Sequence, residues 1–286
     1  MTATLSAPPT TRIHKPLGHR VWLKVALGAL FIAPALTANG YDPATTPQVV
    51  SAVLADPLSL SWLPALPIAK FLLLGVAVTA LISRTNVARV VLGYYAAILV
   101  MVGIFQNMAF TDRYGFTWLV GNTLLQLVIA AFCVADVAKR TSTISRTTLN
   151  GKRLWVLLPM TLALLFPYNF DSVQATGVIS PDFGPALLYN DAGLTFCMIT
   201  PVILGILIIH SSGVDSALLS VVSFVAVGFG LLNMLSWFAL QPQDWWMGVL
   251  HTPLMILSVY GLILAWRERN REGTRPTGRT GRTPAA

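Results

Sequence analysis

The residues of this chain that could do chemistry are few, and most of them stand in apolar surroundings. Lys70 lies within Pro67-Ile-Ala-Lys-Phe-Leu-Leu-Leu74, and His251 within Met247-Gly-Val-Leu-His-Thr-Pro253. Asn107, Asn122 and Asn233 are amides set in or beside runs of the same kind. Ionisable and amide groups in a membrane-like environment are costly unless they are paired, so each is a functional candidate. A lysine there could bind an anionic solute or pair with a loop aspartate. The competing expectation is that Lys70 snorkels to the nearer interface. A histidine has an unperturbed pKa near 6.5 and could carry a proton, or simply bond two helices together. Pro253, just beyond it, frees a carbonyl and bends the helix. The amides could fasten helices, or face each other across a pocket.

Taken together, Lys70, Asn107, Asn122, Asn233 and His251 form a candidate outward-facing pocket for a small-molecule or lipid ligand. Asp42, Asp171 and Asp182 are candidates in the polar segments outside the apolar runs. Asp136 sits beside Lys139 and Arg140, where an interfacial ion pair is expected. CxxC, HExxH, Walker-type and GxGxxG patterns are absent from the sequence, so no metal, cofactor or catalytic residue is assigned. Cys133 and Cys197 lie in separate apolar runs and read as small core residues.

The elements that position these residues follow from composition. Of 286 residues, 10% are charged and 55% hydrophobic, and the mean hydropathy is +0.69. A typical soluble domain has roughly 25% charged residues, so a soluble surface cannot be built here. The chain reads as an all-α polytopic membrane helix bundle in a plasma (inner) membrane. Eight apolar segments approach the length of about 20 residues that a bilayer demands: 21–38, 63–82, 90–109, 117–138, 154–168, 192–210, 217–240 and 245–266. The runs are continuous rather than alternating, which favours helices over a barrel.

Charge tests the count. With eight spans, seventeen of the nineteen Lys and Arg fall on the side that holds both termini; Lys70 and Arg113 are the exceptions. Positive charge stays cytoplasmic, so both termini are expected there. The net charge of +8 is spread around span ends and forms no stripe with interleaved aromatics, which excludes a nucleic-acid partner. The stretch Ala35-Leu-Thr-Ala38 resembles a signal-peptide cleavage site, but the repeat described next needs the first helix, which is expected to be retained. The last span holds no lysine, which disfavours a retinal Schiff base. Tryptophans near span ends read as an interfacial belt: Trp62, Trp118, Trp237, Trp245 and Trp246 outside, Trp22, Trp155 and Trp266 inside.

The pattern D-x6-V-[VI]-S occurs at Asp42–Ser51 and again at Asp171–Ser180. Asn-Met followed by Trp-x-x-Gly occurs at Asn107 to Gly121 and again at Asn233 to Gly248, in the same order. These matches predict two parallel four-helix repeats related by an axis along the membrane normal. The organisation is then an arm (1–20), a first repeat (21–138), a cytoplasmic linker (139–153), a second repeat (154–266) and a disordered basic tail (267–286). Three functions stay open. The first is a small-solute transporter or channel using the outward pocket. The second is a non-catalytic accessory or scaffold subunit with a membrane-protein partner. The third is an enzyme on lipid-linked substrates, using Asp171 and Asp182 with His251.

Overall fold

Prolines end the helices of two apolar runs early, at Pro34 and at Pro167. The computed structural model describes residues 16–59, 66–167, 183–184, 187 and 191–274, and it is mostly helical (75%). Helix α1 (Val21–Phe31) ends ahead of Pro34. The residue before a proline is pushed out of the helical region, and proline has no N–H to donate. Helix α2 (Thr46–Ala55) follows in the first polar segment. Helices α3 (Leu66–Ile82), α4 (Ala88–Phe105) and α5 (Val120–Lys139) come next. Helix α6 (Leu157–Leu165) stops where Phe166 takes φ 28° before Pro167. Helices α7 (Phe196–Ile209), α8 (Ser216–Leu235) and α9 (Trp245–Thr274) complete the described chain, with a π-helical turn, Ser236–Leu240, extending α8.

Four of these helices are long and apolar enough to cross a membrane: α4, α5, α8 with its π-helical turn, and α9. Helices α1, α3 and α7 are apolar but shorter. At 1.5 Å per residue the 14 residues of α7 span only ~21 Å, against ~30 Å of hydrocarbon.

The expectation of an all-α bundle needs correction at one end. Three strands, β1 (Leu36–Thr37), β2 (Met108–Thr111) and β3 (Gly115–Trp118), form an antiparallel sheet in the order β1-β3-β2. Residues expected at the ends of the first, third and fourth spans therefore lie in strands. The hairpin turns on Gly115 at φ 64°, a conformation that costs glycine little. Its register pairs Phe110 with Phe116 and Ala109 with Thr117. Ala109 and Thr117 are buried, while the two phenylalanines face outward, the alternation a half-buried strand requires. Helix α2 covers the buried face with Val49 and Val53.

Helix α7 is the axis of the packing. Every residue but the half-buried Cys197 is buried, as expected of a helix apolar all round. Helices α3, α6, α8 and α9 pack against it. The hairpins α4–α5 and α8–α9 are the most extensively packed neighbours. Outside, Ile68, Phe71, Leu72, Ile82, Val90, Val134, Leu158 and Leu235 are exposed. So much exposed apolar surface on helices marks a membrane or interaction face.

At the end opposite the sheet, the segment 139–153 lies between two short turns. Its main chain meets the first turn through Val87 N–H to Ile144 O and Arg146 N–H to Ser83 O. It meets the second through Thr143 N–H to Gly213 O, and the end of α7 through Asn150 N–H to Ile209 O. The segment is thus hydrogen-bonded to the turns on either side of it.

Candidate functional site

Lys70 does not snorkel to the interface: it is 6% exposed. Its Nζ donates to the main-chain carbonyl of Leu165 at 3.2 Å and to that of Leu187. Leu165 is the last residue of α6, where orphan carbonyls carry the negative end of the helix dipole. A cation there completes the helix electrically as well as by hydrogen bonds. Gly193 sets the approach of the neighbouring chain to α3. A Cβ on it would lie 2.4 Å from both Ala69 C and Lys70 N, so only glycine fits.

His251 is 7% exposed. Its Nδ1 lies 2.7 Å from the carbonyl of Met247. A carbonyl only accepts, so Nδ1 carries the proton. The ring stacks on Trp237 at 6.2 Å and meets the edge of Phe166 at 5.4 Å. Trp237, half-buried, packs on this cluster. Its Nε1 donates to Asn233 Oδ1 at 3.3 Å. Asn233 in turn donates through Nδ2 to Phe229 O at 2.9 Å and to Cys197 Sγ at 3.4 Å. Lys70, His251 and Asn233 are thus joined through Leu165–Phe166 and Trp237 into one polar–aromatic cluster.

Asn107 belongs to a second cluster, in the α4–α5 hairpin. Its Nδ2 donates to Gly103 O at 3.0 Å and to Gln126 Oε1 at 3.4 Å. Thr123 Oγ1 donates to the same Gly103 carbonyl and accepts from Trp118 Nε1. Asn122 lies half-buried on α5, beside Gly121, whose missing Cβ leaves room for Leu30 O of α1. The two clusters connect through Gln106, whose Oε1 accepts from Phe196 N–H, the first amide of α7. Gln106 is a link that spacing alone does not single out, since its partner lies across the fold.

Asp42 is exposed and its Oδ1 caps a 3-10 turn by accepting from Ala44 N–H at 2.9 Å. The first copy of D-x6-V-[VI]-S is thereby explained as a cap followed by the buried Val49. Asp171 and Asp182 lie outside the described residues. Asp136 makes no ion pair with Lys139 or Arg140; Ser142 donates to it through both N–H and Oγ, at 3.2 and 2.6 Å. Arg271 pairs with Glu268 at 3.0 Å.

Comparison of the chain with protein-family models, with curated proteins and with solved structures finds no match.

Among the described residues no group of three His, Cys, Asp or Glu could hold a metal ion. The structure does open a cavity of about 210 Å³. It lies at the opposite end from Lys70, between the start of α4 and the end of α5, and is lined by Asn86, Arg89, Asp136, Arg140 and Ser142 among others. In the sequence the cavity's arginines look like topology signals and Asp136 like half of an ion pair, so nothing there points to a shared cavity.

Proposed function

We propose that this chain is a polytopic membrane protein of eight membrane-embedded helices whose role is structural: a non-catalytic helical subunit that supports a membrane partner. The observation that carries this reading is how the intramembrane polar groups spend their bonds. Lys70 donates to main-chain carbonyls, His251 and Asn233 to carbonyls one turn back on their own helices, and Asn107 to Gly103 O. Groups committed in this way rigidify a bundle and offer little to a passing solute. The sheet presents the exposed pair Phe110 and Phe116, ring centroids 5.3 Å apart, as an apolar face for a partner.

Two parallel repeats with both termini on the cytoplasmic face form the architecture of this proposal. Supporting it, Asn86 and Asp215 occupy equivalent places in the halves. Asn86 Oδ1 accepts from Ala88 N–H ahead of α4, and Asp215 Oδ1 from Ala217 and Leu218 N–H ahead of α8. Asn107 and Asn233 likewise make the same bond to the carbonyl four residues back. Single cysteines at Thr85 and Asp112, both exposed, should label from opposite sides of sealed vesicles in a background free of Cys133 and Cys197. Labelling from one side would overturn this topology.

A carrier is the second reading, favoured by the single Lys70–Phe166–His251–Trp237–Asn233 cluster. Native mass spectrometry in mild detergent separates the two. A polypeptide retained at fixed stoichiometry, and released by Phe110→Ser with Phe116→Ser, supports the subunit. A small solute retained by the wild type and lost in Lys70→Met supports the carrier instead.

A further inference from the structure

The cavity at the linker end is chemically two-sided. Arg89 and Arg140, both exposed, line it together with Asp136, which is 5% exposed. Ser142 supplies Asp136 with two hydrogen bonds, but a carboxylate has about four acceptor positions, so it can accept more. The same Ser142 Oγ accepts from Asp215 N–H at 2.9 Å, which fixes the carboxylate against the start of α8. The Ala88 amide at the start of α4 is taken by Asn86 Oδ1, so recognition here rests on side-chain charge and not on a helix end. At roughly 30 Å³ per water, 210 Å³ is far more than one ordered water fills.

Val90 follows the cavity-lining Arg89 on α4, and Val134 lies one helical turn before the cavity-lining Val137 on α5; both valines are exposed. The cavity therefore opens where apolar, lipid-facing helix surface gives way to polar chain ends. In the membrane reading above, this is the level of phospholipid headgroups.

We propose that this cavity is a binding site for a phospholipid headgroup bearing a primary amine, phosphatidylethanolamine in chemical terms. The phosphodiester lies against Arg89 and Arg140, since guanidinium forks suit phosphate oxygens. The ammonium lies against Asp136. The acyl chains run along Val90 and Val134. A glycerol headgroup can donate hydroxyl hydrogen bonds to Asp136 but brings no cation to offset the carboxylate, and neutral–ionic bonds of that kind are weaker than those of an ammonium. Soluble phosphoethanolamine offers the same two charges without the chains.

The inference rests on the membrane reading above, and not on the structural role or on which face is cytoplasmic. Its test is reconstitution of the full chain into bilayers of equal phosphatidylethanolamine and phosphatidylglycerol, then native mass spectrometry of the released protein. One phosphatidylethanolamine should be retained, in at least fivefold excess over phosphatidylglycerol. Arg89→Gln and Arg140→Gln should each lower retention about fivefold, the scale of one basic residue at a charged membrane surface. Asp136→Asn should remove the preference between the two lipids while leaving retention measurable. Equal retention of both lipids by the wild type, or unchanged retention in both arginine variants, overturns the proposal. So does displacement by soluble phosphoethanolamine at concentrations comparable to the lipid. The arginines are exposed, so their variants keep the test open even where Asp136→Asn fails to fold. A chain that does not enter the bilayer at all refutes the membrane reading instead.

Discussion

Replacing Lys70 with methionine asks whether the buried cation is a fastener. In the structure its ammonium makes two charge-assisted hydrogen bonds to the carbonyls of Leu165 and Leu187. Hydrogen bonds to charged groups contribute about 1.5–3 kcal/mol each, and a cation at a helix C-terminus adds up to ~2 kcal/mol in partly buried geometries. Against this, a lysine deep in a bilayer costs about 2.5–3.5 kcal/mol that methionine does not incur. The balance runs from about 0 to 5 kcal/mol, with a central loss of about 2.5 kcal/mol for Lys70→Met. For a chain of this size that central value corresponds to a melting point lowered by roughly 5–10 °C. Lys70→Arg, which keeps charge and donors, should recover most of it. Thermal unfolding in mild detergent measures both, and amide exchange over 157–165 should rise most in the methionine variant. A Lys70→Met protein that melts at or above the wild type refutes the reasoning. The transfer gain would then exceed the bonds, and the lysine would have to be held for a ligand.

Gly193→Ala should cost about 1–3 kcal/mol, in the range for overpacking, because the new Cβ meets the backbone of Ala69 and Lys70; unchanged melting would show that this approach is not tight. Asn107→Leu and Asn233→Leu should each cost about 0.6–2 kcal/mol, and Asn233→Leu should also alter Trp237 fluorescence, since Nε1 loses its acceptor. His19 is buried with Nε2 3.0 Å from Ser216 Oγ. Burial first, then the charges of Arg269 and Lys24, push its pKa down, with Asp215 opposing. The unfolded chain therefore binds a proton near pH 6.5 that the folded chain refuses, so this contribution is complete above pH 6.5 and is lost as pH falls below it. Melting between pH 7.5 and 5.5 should fall more steeply for the wild type than for His19→Gln, and equal slopes would exclude His19 as the cause.

How much of this was legible in the sequence depends on the range of the interaction concerned. Composition alone points to a lipid environment, because 10% charged residues clothe a soluble surface poorly. Each of the eight apolar runs contains a helix, since hydropathy is a local property. Their ends were less legible: Pro34 and Pro167 trim α1 and α6, and the residues around Pro34 and Gly115 extend into a sheet whose pairing joins residue 36 to residue 118. That register is set by distant chain segments and leaves little trace in a window of twenty residues. The same division holds for the site. Lys70, His251 and the asparagines announce themselves, because a polar group in an apolar run is conspicuous. Their partners do not. A backbone carbonyl such as Leu165 O carries no sequence signature, and an aromatic ring such as Trp237 reads the same whether it faces lipid or a histidine. Only the folded chain decided that Lys70 closes a helix end, that Asp136 binds Ser142 in place of a neighbouring cation, and that Arg89 and Arg140 share a cavity. Hydrophobicity determines where the chain must be, whereas hydrogen-bond partners are chosen by whichever groups the packing brings within 3 Å or so of one another.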